Sequence, residues 1–171
     1  MTRARVVATA LLAIGLGFSA GGAEAVESDP LPVPKGGARE RAVAAYNDGV
    51  KLMVDKRYAA AQRKFEEALA ADEQLAEAHN NLAFSVRMQG RENFARAMRH
   101  YDRAIQLKPD LAQAYMYRGV LFTQLGNLTR ARADHARLLT LDPGLAAKLE
   151  AVIAGRPASE GDDGLTGQYD Q

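Results

Sequence analysis

The sequence predicts an all-α fold, a solenoid of helix–turn–helix repeats closed by a C-terminal capping helix. Three observations lead there. Ring-bearing and small residues recur at spacings of four and three as Ala61-Phe65-Ala68, Ala97-Tyr101-Ala104 and Ala131-His135-Leu138, so each set occupies one helical stripe. Ahead of each set a small residue stands at Gly49, Ala83 and Gly119, followed three positions on by Leu52, Val86 and Phe122. These positions also keep a period. Gly49 to Ala83 is 34 residues and Ala83 to Gly119 is 36, while Ala68 to Ala104 is 36 and Ala104 to Leu138 is 34. A period of this length marks stacked helical pairs, none of which can bury its apolar stripe alone.

The elements follow in chain order. Residues 1–25, "MTRARVVATALLAIGLGFSAGGAEA", place Arg3 and Arg5 before an uncharged apolar run and end in Ala23-Glu24-Ala25. That is the three-part layout of a cleavable secretory leader, giving Val26 as the expected mature start and a bacterial periplasm as the expected destination. The apolar run is too short for a comfortable bilayer span, so no transmembrane segment is expected after cleavage. Residues 26–39 alternate Pro30, Pro32 and Pro34 before Gly36 and Gly37, a composition that disfavours helix and suits an extended linker. The repeats span about 42–75, 76–111 and 112–145, with two extra residues expected in the turn "GRENF", since a connecting loop tolerates insertion best. A capping helix is expected over about 146–154, where Leu145, Leu149 and Val152 recur at four and three and Gly155 and Pro157 stop it. The tail, 156–171, is polar, Gly-rich and acidic, the composition of disorder.

Within this frame "AHNNLAFSVRMQG", "AYMYRGVLFTQLGNLTRA" and the junction "AIQLKPDLAQA" resemble the tetratricopeptide repeat (TPR) family. The resemblance covers about two thirds of the chain. It implies a tetratricopeptide-type right-handed solenoid of three repeats, whose first helices line a concave, partner-binding face. Departures are the longer second repeat, Glu73 where the junction proline usually sits, and His135 where an aromatic is usual. On this resemblance the groove residues are Tyr46, Val50 and Met53 in repeat 1, Asn80, Phe84 and Arg87 in repeat 2, and Gln113, Met116, Val120 and Thr123 in repeat 3. Phe84 is expected at the centre of that groove. Family members that bind chaperones hold a terminal carboxylate with Lys, Arg and Asn. Asn81 matches one such Asn, but Tyr46 and Val50 stand where that clamp wants Lys and Asn.

Chemistry of other kinds finds little footing. There are no cysteines, which excludes thiolate nucleophiles, disulfides and thiolate-bound zinc. The sequence carries no phosphate loop, nucleophile elbow or zinc-protease motif, so no catalytic residue, metal or cofactor is expected and the chain reads as a non-enzyme. His79, in the first helix of repeat 2, is read as a helix–helix contact, with Gly90 the left-handed cap that ends that helix. His100 and His135 are read the same way, without the short ligand spacing of a metal site. Removing Arg3, Arg5 and Glu24 leaves 20 basic and 20 acidic residues, so charge gives no reason to expect nucleic acid as a partner. Between Arg87 and Arg137, however, ten basic residues face four acidic ones. Arg96, Arg99 and Arg103 recur at three and four, forming an outer-face basic stripe. The expected function is a periplasmic scaffold or adaptor that binds another protein or peptide segment on the concave face. The alternative is an anionic partner held by the Arg-rich outer face of repeats 2 and 3.

Overall fold

The computed structural model describes residues 29–33 and 35–155. The leader and the acidic tail lie outside the described residues. Among the described residues seven α-helices follow one another as three helix–turn–helix pairs and a closing helix: α1 (Gly37–Val54), α2 (Tyr58–Ala71), α3 (Ala76–Arg87), α4 (Phe94–Leu107), α5 (Ala112–Gln124), α6 (Leu128–Leu141) and α7 (Pro143–Ile153). Each helix packs on its neighbours in sequence, α1 also touches α3, α3 touches α5, and α7 closes the end against α5 and α6. The architecture is an all-α helix–turn–helix solenoid.

The repeated stripes make the core. Ala61, Phe65, Ala68, Ala97, Tyr101, Ala104, Ala131 and Leu138 are all fully buried, as expected of positions that meet the partner helix of the same pair. The small-residue positions let those helices close up. A Cβ placed on Gly49 would lie 2.6 Å from the Phe65 ring, a separation that real Cβ atoms do not reach. Sixteen residues separate Gly49 from Phe65, and likewise Gly119 from His135. Yet the atom nearest a Cβ on Gly119 is Leu149 Cδ2 of α7, at 2.4 Å. His135 does not fill the packing place expected of it. It is half-buried, with Nε2 3.8 Å from Glu150 Oε2. The imidazole is more polar than the phenyl it replaces, and the capping helix supplies the missing apolar volume.

Three boundaries differ from expectation. Helix α1 begins at Gly37, within the span read as linker. Gly36 turns the chain at φ 84°, and its N–H donates to Glu40 Oε2 at 2.7 Å, closing the helix start. Helix α7 begins at Pro143 because Asp142 caps it, accepting from the Leu145 N–H at 3.0 Å, with the proline at the first position where its missing N–H costs nothing. Gly90 is not a left-handed cap. Helix α3 ends at Arg87, and Gly90, at φ 141° and ψ 162°, leads into a 3-10 turn over Arg91–Asn93. The α3–α4 connection thus covers residues 88–93, against 55–57 and 125–127 in the other pairs. The extra length is spent in that turn.

Candidate functional site

Burial divides the residues expected in a groove. Met53, Phe84, Arg87 and Val120 are fully buried, and Val50 and Met116 nearly so. Phe84 is core, not a groove centre. Its ring meets Tyr117 edge-on at 5.0 Å and Tyr58 at 6.0 Å, which ties its repeat to both neighbours. The Arg87 guanidinium lies 5.3 Å over the Phe84 ring and donates to Gln124 Oε1 at 3.3 Å. The Thr123 hydroxyl turns back to its own helix and donates to the Gly119 carbonyl at 3.0 Å. The physical reason is that first helices of successive repeats touch directly, so positions four apart on them face the next helix rather than solvent.

Tyr46, Asn80 and Gln113 do meet, along a cleft of about 210 Å³ that runs across α1, α3 and the start of α5. Its floor is a polar chain. Asn80 Nδ2 donates to Asn81 Oδ1 at 3.0 Å, and Asn81 Nδ2 donates to the Tyr46 hydroxyl at 3.1 Å. Asn80 is 2% exposed, and its carboxamide oxygen has no partner among the described residues. A buried acceptor left unmet costs free energy of about 1–3 kcal/mol. The oxygen is itself shut off from solvent, so a donor from outside meets it once the carboxamide turns toward the cleft. At the rim Lys108 Nζ donates to Glu77 Oε1 at 2.9 Å. That hydrogen bond and charge hold the Lys108 amine above its ordinary pKa against a smaller effect of burial.

The remaining wall comes from a part of the chain read as linker. Asp29 and Leu31 line the cleft, and Leu31 packs half-buried against the core. Asn47 holds it there. The Leu31 N–H donates to Asn47 Oδ1 at 2.7 Å, and Asn47 Nδ2 donates to the Leu31 carbonyl at 2.8 Å. One carboxamide thus satisfies both backbone groups of one residue. Sequence reasoning missed Asn47, although a signal was present. It stands 34 residues before Asn81, the same place in the preceding repeat.

Elsewhere several charges are paired. Arg96 of the basic stripe is half-buried and bonded to Glu66 of α2, Arg103 is half-buried, and Arg99 is exposed. The three do not form one free face, because Glu66 of α2 takes up Arg96 and Arg103 is partly covered, leaving Arg99 exposed. Arg118, which the sequence reading passed over, donates to Asp134 at 3.0 and 2.6 Å and to Asp102 at 2.8 Å, joining α5 to α6 and α4. His79 and His100 meet as well, stacked at 5.3 Å between ring centres with Nδ1 atoms 3.1 Å apart. His79 Nε2 lies 3.1 Å from the Glu73 carbonyl and serves as its donor, so His79 Nδ1 accepts from His100. Burial lowers both pKa values, that of His100 to about 4, with His79, Arg96 and Arg99 adding to the effect and Glu66 opposing it. Among the described residues no cluster of three or more His, Asp or Glu is placed to hold a metal.

Neither a family model nor a curated protein sequence matches the chain. Solved structures do match. The first TPR of Spaghetti (RPAP3), bound to an HSP90 peptide SRMEEVD, is 24% identical with a TM-score of 0.61, over 68% of this chain and 93% of that one. The Arabidopsis OM64 TPR domain is 21% identical with a TM-score of 0.64, over 70% of this chain and 98% of that one. The fold is that of tetratricopeptide domains. The Tyr46 hydroxyl takes the hydrogen bond of Asn81.

Proposed function

We propose that this chain is a non-enzymatic scaffold whose concave cleft holds an extended segment of a partner protein. The observation that carries the reading is the cleft itself, lined by Tyr46, Asn80, Asn81, Lys108 and Gln113, with the Asn80 carboxamide oxygen buried beneath it and without a donor among the described residues. A backbone N–H of an extended partner segment supplies such a donor, and the neighbouring Gln113 and Lys108 offer further polar contacts. Two solved structures of the same fold, both TPRs of Spaghetti (RPAP3), are bound to an HSP90 peptide, which supports a peptide-binding role. The resemblance puts Tyr46 and Val50 where a terminal-carboxylate clamp wants Lys and Asn, which favours a ligand of another kind. The leader-like residues 1–25 support action in the bacterial periplasm, and no helix among the described residues is long and apolar enough to cross a membrane.

A photo-crosslinking residue at position 113, with mass spectrometry of the adduct, tests the reading. The expected result is a discrete protein adduct that Asn80→Leu reduces while the helical circular dichroism is unchanged. Adducts insensitive to Asn80 would reject the cleft. Location is tested separately by the intact mass of the exported form, expected to begin near Val26.

A further inference from the structure

We infer that residues 29–33 are an internal ligand of this cleft, a copy in cis of the extended, proline-flanked aliphatic segment that a partner presents. The inference rests on the cleft reading above and adds to it the chemistry of the ligand and its displacement.

The bonding at Asn47 is the first ground. A carboxamide that meets one residue's N–H and C=O recognises backbone, not side chain, and accepts any chain that brings both groups to it. Within Pro30-Leu31-Pro32 the Leu31 N–H is the only amide hydrogen, because proline has none. That hydrogen is the one given to Asn47. Flanking prolines leave no competing donor and hold the segment extended before it binds, so little order is lost on docking. Leu31 supplies the apolar anchor by packing on the core. Proline, an aliphatic residue and proline thus each have a physical task at this site.

The second ground is what the segment leaves undone. With Asp29 and Leu31 in place, about 210 Å³ of cleft remains beside them, and Asn80 Oδ1 still lacks a partner. The internal segment uses the α1 wall and leaves the polar floor unmet. A partner segment that engages Asn47 in the same way and also donates to Asn80 makes the better ligand, and it displaces the internal one. The third ground is the tether. Only residues 34–36 separate Val33 from the first residue of α1. So short a link gives an effective concentration on the order of millimolar, enough to exclude weak or incidental peptides.

The test uses the whole chain and the unlabelled peptide acetyl-Asp-Pro-Leu-Pro-Val-amide, following the Asn47 side-chain amide signals by ¹⁵N NMR. Leu31→Asp is expected to shift those signals, and added peptide to return them to their wild-type positions. A control peptide with Asp at its centre should not. With a fluorophore-labelled copy of the peptide followed by anisotropy, the wild-type chain should need about ten-fold more protein than the variant for the same bound fraction, because its own segment competes. Asn47 signals unmoved by Leu31→Asp, or moved but not restored by the peptide, overturn the inference. If they are not restored while the adduct at position 113 still depends on Asn80, the cleft binds a partner of different chemistry and only the internal-ligand assignment falls. If the adduct also fails, the cleft reading falls with it.

Discussion

Phe84 meets Tyr58 at one edge and Tyr117 at the other with none of its surface exposed, so truncation opens a cavity between repeats. Phe84→Ala should cost about 3–5 kcal/mol of stability, seen as a large drop in the melting midpoint; a small drop accompanied by lost partner binding would return the residue to the groove. The histidine pair sets the response to acid. Both pKa values are lowered in the folded chain, so protonation favours the unfolded one. Their contribution is intact above the ordinary histidine pKa of about 6.5 and is lost as pH falls from there toward 4. Melting midpoints at pH 7.5 and 5 should therefore differ more in the wild type than in His100→Gln. Some of this scale was legible in the sequence and some was not. A stripe of residues at four and three fixes a helix face but not what covers it, and Phe84 was misplaced for that reason. His79 was read correctly as a contact, yet its partner His100 lies 21 residues away, a pairing that no local spacing announces.

Gly49 and Phe65 show how two helices are fitted to one another. A methyl group at Gly49 would fall within 3 Å of three atoms of a ring that is itself fully buried, and a phenyl ring cannot bend aside. Gly49→Ala should cost about 1–3 kcal/mol through overpacking. Phe65→Leu, mildly destabilising alone, should recover part of that loss in the double variant, an interaction measurable by chemical denaturation. Equal, additive losses would mean that the helices separate rather than clash. The period and the small residues revealed these pairs in advance, and they placed the extra turn length between Ala83 and Ala97. They did not reveal that Leu149 serves Gly119, because α7 stands outside the repeat and obeys no period. Nor did they reveal the segment docked by Asn47, since proline composition speaks of extended backbone and says nothing of where that backbone lies.

The whole molecule is held almost entirely by contacts between elements adjacent in sequence, with α7 as the last of them. Stability in such a stack is close to a sum of neighbour terms, so a loss at one end stays near that end. Truncation after Asp142 removes Leu145, Ala146 and Leu149 from the core. It should lower the hydrogen-exchange protection of α5 and α6 while leaving α1 and α2 nearly unchanged; uniform loss of protection would show a single cooperative unit instead. The same helix sets a limit on growth. The α5–α6 surface that Leu149 covers is the one on which a fourth pair of helices would stack, whether from this chain or from another copy. Joined head to tail through that surface, copies would extend without closure into a filament. By seating a side chain over Gly119, α7 takes that surface out of use, and polymerisation by this route is blocked at the cost of eleven residues of helix.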